Sequence, residues 1–169
     1  DFDGSNDYYN AGTGATVAIA SKDFSFSFWS YHHVDSGSDY VIGTNSKLHV
    51  GYTNSTTFRM GFYSDDYDVS DGGTSANTWQ YWVGTFDAAG DGGDKSRKIY
   101  LNSTLSGTNT SSGDLTGSGA FYIGTGYSTS SQAMDGLVDE IRISSEVRSS
   151  AWIVTEYNNQ SLPSTFYSI

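Results

Sequence analysis

Eight stretches of six to ten residues place apolar and aromatic side chains at every second position or in short β-rich runs, and each gives way to a polar connection. They are "DFSFSFWSY" (23–31), "DYVIGT" (39–44), "SKLHVGYT" (46–53), "TTFRMGFYS" (56–64), "TWQYWVGTFD" (78–87), "SRKIYLNST" (96–104), "GAFYIGTG" (119–126) and "GLVDEIRIS" (136–144). A period of two is the period of a pleated strand with one face buried, and short strands at this spacing, without a helical period of comparable length, predict an all-β antiparallel sandwich or barrel. Composition points the same way: aromatics make up 15% of the 169 residues, there are 20 Gly and one Pro, and 16 of the 19 acidic residues are Asp. Asp, Asn, Ser and Gly favour turns, whereas aromatic rings favour strands. One helical segment is expected, "SSAWIVTEY" (149–157), capped by Ser149 or Ser150 with Trp152 packed inward. The tail 158–169 reads as a final strand or the start of a linker. A chain of this length, without repeats or a shift in composition, is expected to form a single domain.

Charge narrows the functional classes. The formal net charge is −11, and the only dense basic group is Lys95, Arg97 and Lys98, so nucleic acid is a poor partner. Cysteine is absent, which removes disulfides and thiolate chemistry. No apolar run reaches the length of a membrane span, and the first residues, "DFDGSNDYYN", lack the charged and apolar regions of a signal peptide, so any targeting segment is expected outside this chain.

Chemistry enters with "MDGLVDEIRIS" (134–144). Strict alternation places Asp139 on one face with Leu137, Ile141 and Ile143. A carboxylate on an apolar face requires compensation by a cation, by a basic side chain such as Arg59, or by backbone N–H groups, unless it lies at the strand's end, half in solvent. The acidic stretches 35–39, 64–73 and 87–94 resemble oxygen-rich calcium loops but lack the terminal Glu of an EF-hand, and solvated turns explain them equally well. Catalysis is not expected. Glycoside hydrolysis needs two carboxyl groups flanking the scissile bond, yet all three Glu lie within 140–156; the His pair 32–33 points to opposite faces, and no G-x-S-x-G elbow occurs.

Aromatic positions carry the expectation of binding. In "SFSFWSY", Phe24, Phe26 and Phe28 form the core face, leaving Trp29 and Tyr31 on the other with Ser25 and Ser27. In "WQYWVGTFD", Trp79, Tyr81 and Val83 alternate with Gln80, Trp82 and Phe86, so one set lies outside the core. Trp29, Tyr31 and Trp82 are the candidate carbohydrate-stacking rings, because sugars present apolar C–H faces that pack on flat rings; rings that simply cover a sheet are the alternative.

The ordered series "FDGSNDY", "FSFSFWSY", "WQYWVGTFD", "KIYLN", "FYIGTG" and "MDGLVDEIRIS" followed by "RSSAWI" resembles the laminin-G-like domains of the concanavalin A-like jelly-roll superfamily, over about residues 2–157. The resemblance implies a two-sheet antiparallel jelly-roll β-sandwich with first and last strands adjacent. It also implies a structural Ca²⁺ held by Asp139 together with Asp3 or nearby carbonyls. The expected function is a non-catalytic extracellular or cell-surface module of a larger prokaryotic protein, binding a carbohydrate or glycoconjugate. The competing class is an adhesive or fibre-forming spacer acting through neighbouring protein modules, with a glycoside hydrolase as a distant third.

Overall fold

The computed structural model describes residues 1–33, 37–45, 47–70, 76–89, 94–110, 113–126 and 132–166. The chain runs through β1 (Phe2–Asp3), β2 (Tyr9–Asn10), α1 (Gly14–Ile19), β3 (Phe24–His32), β4 (Asp39–Thr44), β5 (Leu48–Asn54), β6 (Thr57–Phe62) and β7 (Asp66–Ser70). It continues through β8 (Trp79–Asp87), β9 (Ser96–Leu101), β10 (Thr104–Thr110), β11 (Phe121–Ile123), β12 (Asp135–Ser144), α2 (Ser150–Ser161) and α3 (Pro163–Phe166). Two six-stranded sheets result, in the orders β1-β12-β3-β8-β9-β10 and β2-β11-β4-β5-β6-β7. Pairing within both sheets is antiparallel. As expected, the first strand lies beside the last, β1 against β12.

The core between the sheets is aromatic. Phe24, Phe26 and Phe28 of β3 are buried against Phe58, Phe62, Trp82 and Phe86. Trp82 is fully buried, stacked on Phe58 at 3.9 Å between ring centroids and 5° between planes, and its Nε1 donates to the Tyr52 hydroxyl at 3.0 Å. This corrects the expectation that Trp82 stacks on sugar. Register explains it: Phe24 lies opposite Phe86 and Phe28 opposite Trp82, so Trp82 has the parity of the phenylalanine face. Between those pairs Phe26 faces Gly84, where a Cβ would come within 2.2 Å of the Phe26 ring; glycine there makes room for the aromatic layer.

Strict alternation also fails on β12. Asp139 lies opposite Trp29 and Arg142 opposite Ser27, three steps along β12 against two along β3, which is a β-bulge. Glu140 takes up the extra residue with φ +54°. The bulge reverses the parity: Val138, Ile141 and Ile143 pack on the core, while Asp139 points outward and is exposed. The buried carboxylate expected at position 139 therefore does not exist.

The remaining differences lie at the edges and at the C-terminus. The acidic stretch 64–73 contains β7, in which Tyr67 and Val69 pack inward while Asp66 and Asp68 pair with Arg59. Residues 158–161 extend α2 instead of forming a strand, and a helical turn, α3, follows. Ser149 caps α2 by accepting the Trp152 N–H at 3.2 Å; Trp152 is half-buried, and Ile153 is the fully buried anchor. Ile153 packs with Tyr81, Val83 and Tyr100 on the outer face of the first sheet, so α2 lies across that face. Among the described residues no helix is long and apolar enough to cross a membrane.

Candidate functional site

Where α2 crosses the outer face of the first sheet, it leaves a cleft of about 740 Å³. The sheet contributes Trp29, Trp79, Asp139, Glu140 and Arg142; the end of α2 and its continuation contribute Tyr157, Asn159, Gln160, Ser161 and Pro163. Trp29 projects outward by alternation on β3, and the β12 bulge brings Asp139 and Arg142 to the same side, opposite Trp29 and Ser27. Bulges commonly re-aim side chains in this way. In a regular strand Asp139 and Arg142, three positions apart, would face opposite sides of the sheet; the bulge puts both on the outer one.

Rings form the floor. Trp29 stacks on Tyr157 at 5.7 Å and 22°, tilts against Tyr81 at 5.2 Å, and donates its Nε1–H to the side-chain oxygen of Gln160. Trp79 is 42% exposed and meets Tyr31 edge-on at 5.9 Å and 62°. Tyr31 lies directly opposite Trp79 in the β3–β8 register, so two of the expected binding rings, Trp29 and Tyr31, share this face with a third ring, Trp79, that is not among the expected ones. The signal for Trp79 was its parity with Tyr81 and Val83, once Trp82 is assigned to the core.

Charge lines one side. Arg142 pairs with Glu140 and, at 3.2 Å, with Glu156. Glu156 also accepts from the Tyr81 hydroxyl; desolvation, followed by that hydrogen bond, pushes the phenol well above its ordinary range. Asp139 accepts the Glu140 N–H at 2.8 Å.

The calcium expectation meets this geometry poorly. Asp3 lies opposite Asp135, four residues along β12 from Asp139 and so about 13 Å away at strand rise. Its Oδ1 accepts the Ser5 N–H, while Asp135 contacts His33 at 2.7 Å. Asp139 is held by its own backbone in solvent. Asp3 and Asp139 thus do not converge on one ion, and among the described residues no group of three His, Cys, Asp or Glu is placed to hold a metal. In the acidic stretches, Asp39 contacts His32 at 2.6 Å, Asp65 binds Arg97, and Asp87 accepts from Ala89. Asp35, Asp71 and Asp91 lie outside the described residues.

A family model of the concanavalin A-like lectin/glucanase superfamily, laminin-G type, matches residues 3–154. The chain belongs to this superfamily. As a laminin-G-like domain it resembles the Ruminococcus gnavus IT-sialidase CBM40 solved with α2,3-sialyllactose, with TM-score 0.71 and 13% identity over 93% of this chain and 95% of that one. It also resembles domain 4 of AbnA, a GH43 extracellular arabinanase from Geobacillus stearothermophilus, solved with arabinotriose, with TM-score 0.62 and 16% identity over 82% and 68%. A third likeness is to the heptameric SAP-like pentraxin of Limulus polyphemus, with TM-score 0.67 and 13% identity over 92% and 79%. At these identities the likeness shows the fold alone. No curated protein matches the sequence.

Proposed function

We propose that this laminin-G-like domain is a non-catalytic carbohydrate-binding module and that the cleft between the first sheet and α2 is its binding site. The observation that carries the reading is the half-exposed Trp79 indole, braced edge-on by Tyr31 and lining a cleft to which α2 contributes the exposed Asn159 amide. Flat rings take the C–H faces of a sugar, and amide groups take its hydroxyls. Two of the similar structures were solved with an oligosaccharide, which supports the same ligand class.

The carboxylates argue for binding over hydrolysis, since Glu140 and Glu156 are both engaged by the single guanidinium of Arg142. An extracellular setting accords with the arabinanase whose domain has this fold. The test is glycan-array screening followed by calorimetry on a positive ligand. Trp79→Ala is expected to weaken binding about tenfold, the ~1.5 kcal/mol of a stacked ring, with Tm unchanged. Undiminished affinity in Trp79→Ala rejects the cleft as the site, and release of reducing ends from the bound glycan rejects the non-catalytic assignment.

A further inference from the structure

From the charges around the cleft we infer that it selects saccharides by charge: it takes amino-bearing sugars in preference to neutral ones, and neutral ones in preference to sugars carrying carboxylates. The inference rests on the cleft being the carbohydrate site. Three carboxylates, those of Asp139, Glu140 and Glu156, stand at or beneath its wall against one guanidinium. Arg142 is the only cation among the described lining residues, and it is already spent on Glu140 and Glu156. A glycan carboxylate entering the cleft therefore finds no free partner for its charge.

The carboxylates are held in place. Arg142 and the Tyr81 hydroxyl fix Glu156, and the Glu140 N–H fixes one oxygen of the exposed Asp139. The whole chain, at −11, adds a repulsive background for an acidic ligand and an attractive one for an ammonium group. Similarity in fold to a CBM40 solved with a sialoside thus does not extend to its acidic ligand, because the strongest partners of a carboxylate are a guanidinium fork or an ammonium, and the one guanidinium among the described lining residues is engaged.

The experiment uses matched triplets that share a backbone: β-1,4-linked glucose hexamers, their 2-amino counterparts and their 6-carboxylate counterparts, with equivalent triplets on other backbones, titrated into the wild-type chain and Trp79→Ala. At 10 mM salt the amino form is expected to bind at least ~10-fold more tightly than the carboxylate form; by 1 M salt, where the screening length falls to about 3 Å, the ratio should shrink to within about threefold. Asp139→Asn, which removes one of the three carboxylates at the cleft wall, should narrow the ratio at low salt by about threefold. Trp79-dependent binding in which the carboxylate form equals or exceeds the amino form overturns the charge selection while leaving the site intact. Absence of Trp79-dependent binding to every triplet overturns the carbohydrate reading and this inference with it.

Discussion

Trp82 and Trp79 lie three residues apart on one strand, yet replacing each by alanine should give opposite results. Trp82 is fully buried, in parallel contact with Phe58, and bonded to Tyr52. Its truncation removes the largest side chain of the intersheet layer and leaves a cavity between two sheets whose separation is fixed by their other side chains. A cost of about 3–5 kcal/mol follows for a ring of this size. The Tyr52 hydroxyl keeps its contact with Ser30 at 2.8 Å, so no orphaned polar group is added. In a chain of this length that cost corresponds to a fall in Tm of roughly 6–20 °C. Trp82→Phe, which keeps a stacking ring but loses the N–H, should cost about 1–2 kcal/mol. Trp79→Ala, at an exposed position, should move stability by less than ~0.5 kcal/mol while weakening glycan binding. Calorimetric melting and glycan titration on the same preparations separate the two. A Trp82→Ala protein of unchanged Tm, or a Trp79→Ala protein that is strongly destabilised, refutes the assignment of faces along β8 and with it the location of the cleft.

Asp139→Asn should leave Tm within about 2 °C of wild type, and both proteins should respond alike to calcium and to a chelator; a calcium-dependent rise in Tm that Asp139→Asn abolishes refutes the outward parity imposed by the bulge. Arg97 is buried and donates to the Met60 and Asp65 carbonyls and the Asp65 carboxylate, with desolvation pulling its pKa down. Arg97→Met removes donors from a buried charge pair and should cost about 3–5 kcal/mol in urea unfolding; a loss below ~1 kcal/mol contradicts the pairing. His49 is held below its ordinary value of 6.5, mainly by desolvation, against the opposing pull of Asp66. The unfolded chain therefore binds more protons between the folded and unfolded values, so the stability associated with His49 is complete above pH 6.5 and declines as pH falls toward the folded value. His49→Gln should flatten that portion of the curve of urea midpoint against pH between 7.5 and 5; an unaltered slope contradicts it.

How much of this was legible in the sequence depends on which physical signal each residue carries. The central strand β3 was legible because its inward side chains Phe24, Phe26 and Phe28 stand at every second position, the period of a strand. The edges were not: β10, "TLSGTNT", turns few apolar groups inward, and β7, "DYDVS", hides its two inward residues among acids that pair with Arg59. The helical tail was missed because "NNQS" has weak helix propensity and continues α2 over a surface where Gln160 meets Trp29, a tertiary contact that no local pattern announces.

The site was half legible for a related reason. Trp29 and Tyr31 follow from strict alternation on β3, but Trp79 and Asp139 depend on parity choices that one residue reverses. At β8, the glycine opposite Phe26 decides the parity, since a strand position that must admit a ring from its neighbour belongs to the packed face. At β12, the decision lies in the spacing of Val138, Ile141 and Ile143, which are three and then two apart. No regular strand places all three on one face, so the sequence contains a conflict that only an inserted residue resolves. Resolving it at Glu140 turns Asp139 and Arg142 to the same side as Trp29. A buried carboxylate in need of a cation thereby becomes an exposed carboxylate beside an aromatic floor, and the chemistry to be explained moves from holding the fold together to choosing what the fold binds.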